Sequence, residues 1–284
     1  MHTVPFESAT GCVLESHSIV EVPLAEIQGL RDAPVPAGAP ALPPRFLRHC
    51  DEHTVVGVRA VLEAVAALPD PARRLDRYGV IGAPRLAGRI TGAQTLVRAA
   101  EAGGIAVSPH VVPQCSLHAL ASAVSVALGM NGPNLGASGG PEALSEGLYT
   151  AVSLVDASGC DGMWLVLTEW DEEPALDAAG RPTSDPLCRA VALALRPREA
   201  DDEGAVTFTI RHADPTVHRD SFTGSAGYGL ADFACALGMC VDGGAMTSWS
   251  HVCPWAAEIR ILAPATAAQP KRLRDRAWPR REAA

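Results

Sequence analysis

Apolar residues at Val55, Val58, Val61, Leu62, Val65 and Leu68 recur at helical spacing and predict an amphipathic helix. Asp51 stands where a side-chain N-cap belongs, and Pro69 and Pro71 stop the helix because proline has no N–H to continue it. Tyr78 to Gly82 is a short apolar run that predicts a buried strand, and residues 92–102 read as helix. A further helix is predicted from about Ser116 to Leu128, with Leu117, Leu120, Ala121, Val124 and Leu128 on one face and Gly129 as its C-cap. The next begins near Pro141, a favourable first-turn residue, with Glu142 and Glu146 near the positive end of its dipole. Its buried stripe is Leu144, Leu148, Ala151, Val152 and Val155. Met163–Leu167 and Ala190–Leu195 are short and uniformly apolar, as strands covered on both faces are. Val206, Phe208 and Ile210 alternate with threonines, the pattern of a half-exposed strand. Strands alternating with helices predict an α/β layered fold.

Residues 33–44 (APVPAGAPALPP) form a Pro-rich connector, and the acidic stretch from Glu169 to Asp185 is expected at the surface. The organisation expected is one α/β domain over residues 1–262, followed by a basic, flexible tail over 263–284. Composition narrows the picture: 284 residues suffice for a sizeable core, and 48% hydrophobic content with modest charge excludes a disordered chain. The net charge of -9 argues against general nucleic-acid binding. No apolar run approaches the roughly 20 residues of a membrane span, and the N-terminus lacks the basic and apolar regions of a signal peptide. A cytoplasmic location is expected. The eight cysteines are scattered without CxxC, and the histidines show no HExxH, so buried free thiols are expected and neither a disulfide scaffold nor a metal. No GxGxxG follows a strand and no Gly-Lys-Ser/Thr occurs, so no nucleotide cofactor is expected.

The chemistry concentrates between Pro113 and Thr168. There a helix leads through a Gly132-Pro133-Asn134 turn to a glycine-rich elbow (Gly136, Ser138, Gly139, Gly140, Pro141), then a helix, then Cys160-Asp161-Gly162-Met163 and an apolar strand. This order resembles the nucleophile region of the β-ketoacyl synthases, members of the thiolase-like fold. In that family a cysteine stands nine residues after the glycine of the Gly-Pro turn, at a helix N-terminus whose dipole lowers the thiol pKa. Counting from Gly132 ends on Pro141, and the following strand falls into register without a gap. The resemblance is clear over residues 110–168 and extends from Pro44 to Leu195. It implies a layered αβα architecture, mainly the N-terminal half of a ketosynthase.

Proline offers no nucleophile, so thioester formation at Pro141 is excluded. The family's catalytic histidines belong to a C-terminal half that this chain is expected to lack, and its usual Gly-Gly pair is replaced by Thr168-Glu169-Trp170. What remains resembles the short, nucleophile-free chain-length-factor-type partners of aryl-polyene pathways. The resemblance implies a pseudoenzyme that pairs as a heterodimer with a catalytic β-ketoacyl synthase in polyene, polyketide or fatty-acid-type biosynthesis. It would meet an acyl carrier protein only indirectly, and its interface would be the elbow with the edge strand beside it.

Two other readings share these residues. Gly136-Ala137-Ser138-Gly139-Gly140 fits GxSxG, which would make Ser138 the nucleophile of a serine hydrolase or acyltransferase, with Asp214 and His218 or His251 following in hydrolase order. A helix follows the motif, but a turn rather than a strong apolar strand is expected before it. His118, on an otherwise apolar helix, reads as a hydrogen-bonded core or interface residue, and His251 and Cys253 as packing near the C-terminus.

Overall fold

A computed structural model describes residues 10–70, 74–137, 139–202, 204–212, 229–241 and 246–264. The architecture follows from two strands buried on both faces. In β4 (Gly162–Trp170), Met163, Leu165 and Leu167 enter one hydrophobic cluster, while Trp164, Val166 and Trp170 enter another. In β5 (Leu187–Pro197), Val191, Leu193 and Leu195 join the first cluster, and Ala190, Ala192 and Ala194 the second. Because successive side chains of a strand point to opposite faces, these runs need cover on both sides.

That cover is helical. The small alanines of β5 let α2 (Glu52–Ala66) lie close, with Val55, Val58, Val61 and Leu62 buried beside α5 (Ala119–Leu128). The opposite face takes α6 (Ala143–Ala157) and α7 (Leu230–Val241), through Leu148, Val152, Phe233 and Leu237. The result is a layered αβα structure about one sheet of eight strands. Its order is β3 (Asn134–Gly136), β2 (Tyr78–Pro84), β4, β5, β1 (Thr10–Pro23), β6 (Thr207–His212), β8 (Ala257–Leu262) and β7 (Ser248–Val252). β3, β2 and β4 run parallel, and the remaining neighbours pair antiparallel. The short helices α1 (Leu24–Leu30) and α4 (Val111–Gln114) and the longer α3 (Arg89–Ala102) complete it.

The expected helices and strands are present with shifted ends. α3 begins three residues before the expected 92, and α5 begins at Ala119 rather than near Ser116. α6 begins at Ala143, so Pro141 precedes the helix instead of occupying its first turn. Asp51 caps α2 as expected, its Oδ1 accepting from the Thr54 N–H at 2.9 Å. Gly129 takes the left-handed conformation of a C-cap, with φ 62°. Glu169 and Trp170, expected in a surface loop, end β4 instead.

β1 has no sequence forecast, yet it crosses the middle of the sheet. Its polar residues break alternation, and their partners explain why burial tolerates them. Ser16 Oγ donates to the Ala64 carbonyl at 2.7 Å, Ser18 Oγ donates to Glu63 at 3.1 Å, and Glu15 accepts from the Tyr78 hydroxyl and pairs with Arg196. The register also shifts between Leu14 and Ser16. The basic segment from Pro270 lies outside the described residues, and no helix among those described is long and apolar enough to cross a membrane.

Candidate functional site at the carboxyl end of the parallel strands

In open α/β sheets, ligands bind at loops at the carboxyl ends of the parallel strands. Here that end of β3, β2 and β4 carries the glycine-rich elbow. The turn before it is tied to β2: the Gly132 N–H donates to the Tyr78 carbonyl at 3.1 Å, and the Val80 N–H to the Pro133 carbonyl at 2.7 Å. β3 then pairs with β2 from Val80–Asn134 to Gly82–Gly136, and the Ala137 N–H donates to the Gly82 carbonyl at 2.8 Å. Asn134 leaves its Oδ1 buried without a partner among the described residues.

Gly136 is required by a close approach, since a Cβ there would lie 2.6 Å from the Leu117 carbonyl oxygen and 2.8 Å from the His118 nitrogen. Gly139 has φ 123°, a conformation that residues with side chains rarely adopt. Its carbonyl accepts from the Leu86 N–H at 3.2 Å, and Leu86 itself has φ 56°. Strained backbone of this kind persists only where the surroundings hold it. The Ala143 N–H then donates to the Gly140 carbonyl at 3.2 Å, closing a turn that delivers Pro141 and Glu142 to the start of α6. Pro141 is exposed, and the helix start carries no side-chain cap.

Around this loop the surface is apolar. Leu117 is 42% exposed, Leu135 38% and Leu86 37%, and each either contacts the elbow glycines or belongs to the same loop or edge strand. Large apolar side chains grouped at an unpaired strand edge are what a protein contact covers.

Deeper in, the site is closed by charge. Arg85, the residue after β2, pairs with Glu169, whose other oxygen accepts the Leu230 N–H at the start of α7 at 2.7 Å. Glu169 thus joins two elements and stops that end of the sheet. On the other face, His53 Nδ1 lies 2.8 Å from Thr168 Oγ1, and burial holds the imidazole below its ordinary pKa despite Asp51 and Glu169 nearby.

His118 does not lie in the core. It is exposed immediately before α5, beside the elbow backbone, because α5 turns inward only from Leu120. The core reading of this histidine is therefore corrected, and its place beside the elbow keeps it among the interface candidates.

The hydrolase reading meets a different geometry. Ser138, Asp214 and His218 lie outside the described residues. A strand does precede the elbow, but β3 has only three residues, and α6 starts five residues after Ser138 rather than at once. His251 is engaged elsewhere, with Nε2 2.7 Å from the buried Ser145 Oγ on α6 and its ring stacked on Trp249. Burial lowers the His251 pKa and pushes the neighbouring Cys253 thiol up to about 11, which opposes a thiolate. Sequence reasoning missed the Ser145–His251 contact because the partners are 106 residues apart on a helix and a hairpin. The cysteines are free, as expected, but only four are buried, and Cys235 is exposed on α7.

No family model and no curated protein sequence matches the chain. Solved structures do. One chain of a complex described as the ketosynthase ApeO with its chain length factor ApeC, from Xenorhabdus doucetiae, aligns at TM-score 0.54 with 14% identity, over 88% of this chain and 99% of that one. A β-ketoacyl synthase from Burkholderia phymatum STM815 aligns at TM-score 0.50 with 16% identity, over 72% of this chain and 64% of that one. A chain of the ishigamide ketosynthase/chain length factor structure aligns at 0.46 with 18% identity, over 72% and 67%. The eight-stranded αβα structure is therefore the thiolase-like layered fold of ketosynthases and chain length factors.

Proposed function

We propose that the chain is a non-catalytic, chain-length-factor-type subunit that pairs with a catalytic β-ketoacyl synthase in polyene, polyketide or fatty-acid-type synthesis. The observation that carries this reading is Pro141 two residues before α6, where the resemblance puts the nucleophile, in a loop held by the positive-φ residues Gly139 and Leu86. A proline there has no thiol to acylate, so the condensing step falls to the partner. The Arg85–Glu169 pair supports the same reading, because it fills with a structural ion pair the position where the family keeps glycines.

The exposed rim of Leu86, Leu117 and Leu135 with the β3 edge is the proposed contact surface. The acyl carrier protein, usually acidic, would dock mainly on the partner, since this chain carries a net charge of -9. Co-expression with a catalytic β-ketoacyl synthase from the same genome, followed by size-exclusion chromatography, tests the proposal. Co-elution is the expected result, and a clean monomer that never binds that partner contradicts it. Fluorophosphonate labelling separates the hydrolase reading: label lost in Ser138→Ala would favour hydrolysis, and no label at all would end it.

A further inference from the structure

From Ala102 to Pro141 the chain holds no Asp, Glu, Lys or Arg, although 19% of the whole sequence is charged. An uncharged run of that length ordinarily belongs to a core, because soluble surfaces are rich in charge. This one is mostly surface. Among its described residues eighteen are exposed, and only Leu120, Ala121, Val124 and Met130 are buried.

The exposed side chains are large and apolar. Ile105 is 99% exposed, Leu96 and Val112 73% each, and Val126 68%. α3 buries only Ile90, and neither α4 nor the short 3-10 turn before it (Gly104–Ala106) buries any residue. This lobe is anchored at its start. Asp51 Oδ2 accepts from the Gly88 N–H at 3.0 Å, a Cβ on Gly88 would lie 2.9 Å from the Cys115 Cβ, and Gly180 lies equally close to Ala93 and Gln94. From Leu96 to Gln114 it has no comparable tie, yet helices of this length draw most of their stability from tertiary packing.

Charge selects what covers it. A lipid surface is met by basic residues, and the stretch has no Lys or Arg. A second copy would bring together two chains of net charge -9. A single protein partner fits, because interface cores are depleted of charge and ringed by polar residues, and here charges resume at Glu101 and Glu142. Eighteen exposed residues also approach the roughly 20–30 that one side of a standard interface contributes. The stretch is continuous with the elbow rim: it contains Leu117 and Leu135, and the Leu117 carbonyl lies against Gly136. We propose that the catalytic ketosynthase partner covers the α3–α4 lobe over residues 96–114 as well as the rim, supplying the apolar packing that this chain lacks. The inference rests on the partner-subunit reading and extends its footprint.

Hydrogen exchange of the full chain, alone and in complex with a catalytic β-ketoacyl synthase from the same genome, tests it. Amides of residues 96–114 are expected to exchange fast in the free chain and about tenfold or more slower in the complex. Ile105→Asp should weaken the complex about tenfold or more and leave the melting temperature of the free chain unchanged, because that side chain is almost fully exposed. A complex that leaves exchange over 96–114 unaltered, or that tolerates Ile105→Asp, would overturn the proposal and leave the partner reading standing. Self-association of the free chain that Ile105→Asp abolishes would assign the face to a second copy and overturn it too. No complex with the ketosynthase would remove both readings together.

Discussion

Two helices of equal length, α2 and α6, begin at the same end of the sheet on opposite faces, and their starts are built differently. α2 is sealed. Asp51 accepts from the Thr54 N–H with one oxygen and from the Gly88 N–H with the other at 3.0 Å, and His53 is buried against Thr168. α6 begins without a side-chain cap after two glycines and an exposed proline, under a rim of exposed leucines. One helix N-terminus is committed to holding the fold together. The other is left open at the surface, without a side-chain cap.

The sharpest way to break this contrast is to remove each cap residue. Asp51→Ala leaves two amides buried in the native state without an acceptor and should cost about 2–3 kcal/mol in urea unfolding. Glu142→Ala at the matching position of α6 should cost under about 1 kcal/mol, since that residue makes no cap bond and its carboxylate accepts from the Ser145 hydroxyl at a long 3.3 Å. Equal losses at the two positions would erase the distinction.

Acid should act on the buried imidazoles. Burial depresses the pKa of both His53 and His251, so the folded state binds fewer protons than the unfolded state below about pH 6.5. Stability is therefore full above the unfolded pKa and falls as pH drops below it, by at most about 1.4 kcal/mol per pH unit for each group. Unfolding midpoints between pH 7.5 and 5.5 check this, and His53→Gln should flatten the dependence. A flat wild-type profile would contradict the buried neutral assignment.

Glu169→Gln keeps the shape but weakens the tie among Arg85, β4 and α7. It should cost about 1–2 kcal/mol, discounted because the Arg85 side chain is 36% exposed. The smallest effect is expected at Pro141→Ala, within about 0.5 kcal/mol, because the residue is exposed and precedes the helix. A larger loss there would make Pro141 structural and remove it from the interface argument.

Much of this was legible in the chain. The stripes of α2 and α6 and the apolar runs of β4 and β5 announce themselves because each is buried by its neighbours in a regular period. β1 was hidden because Glu15, Ser16 and Ser18 are polar residues satisfied by partners distant in sequence, which no local pattern displays. In β8, Ala257, Ile259 and Ile261 alternate inward, and the intervening Glu258 is buried against Arg211 and Arg260. The elbow was legible from its glycines and its register. The true start of α6, the exposure of His118 and the Glu169 tie to α7 depend on tertiary packing and were not.

The central claim is that the open start of α6 serves a partner rather than a substrate. Native mass spectrometry of the chain co-purified with the proposed ketosynthase partner tests it most directly, with Leu135→Asp as the companion variant. The account predicts a one-to-one complex that the aspartate disrupts while the separate chains remain folded. Free chains only, or a complex indifferent to the charge at position 135, would contradict it.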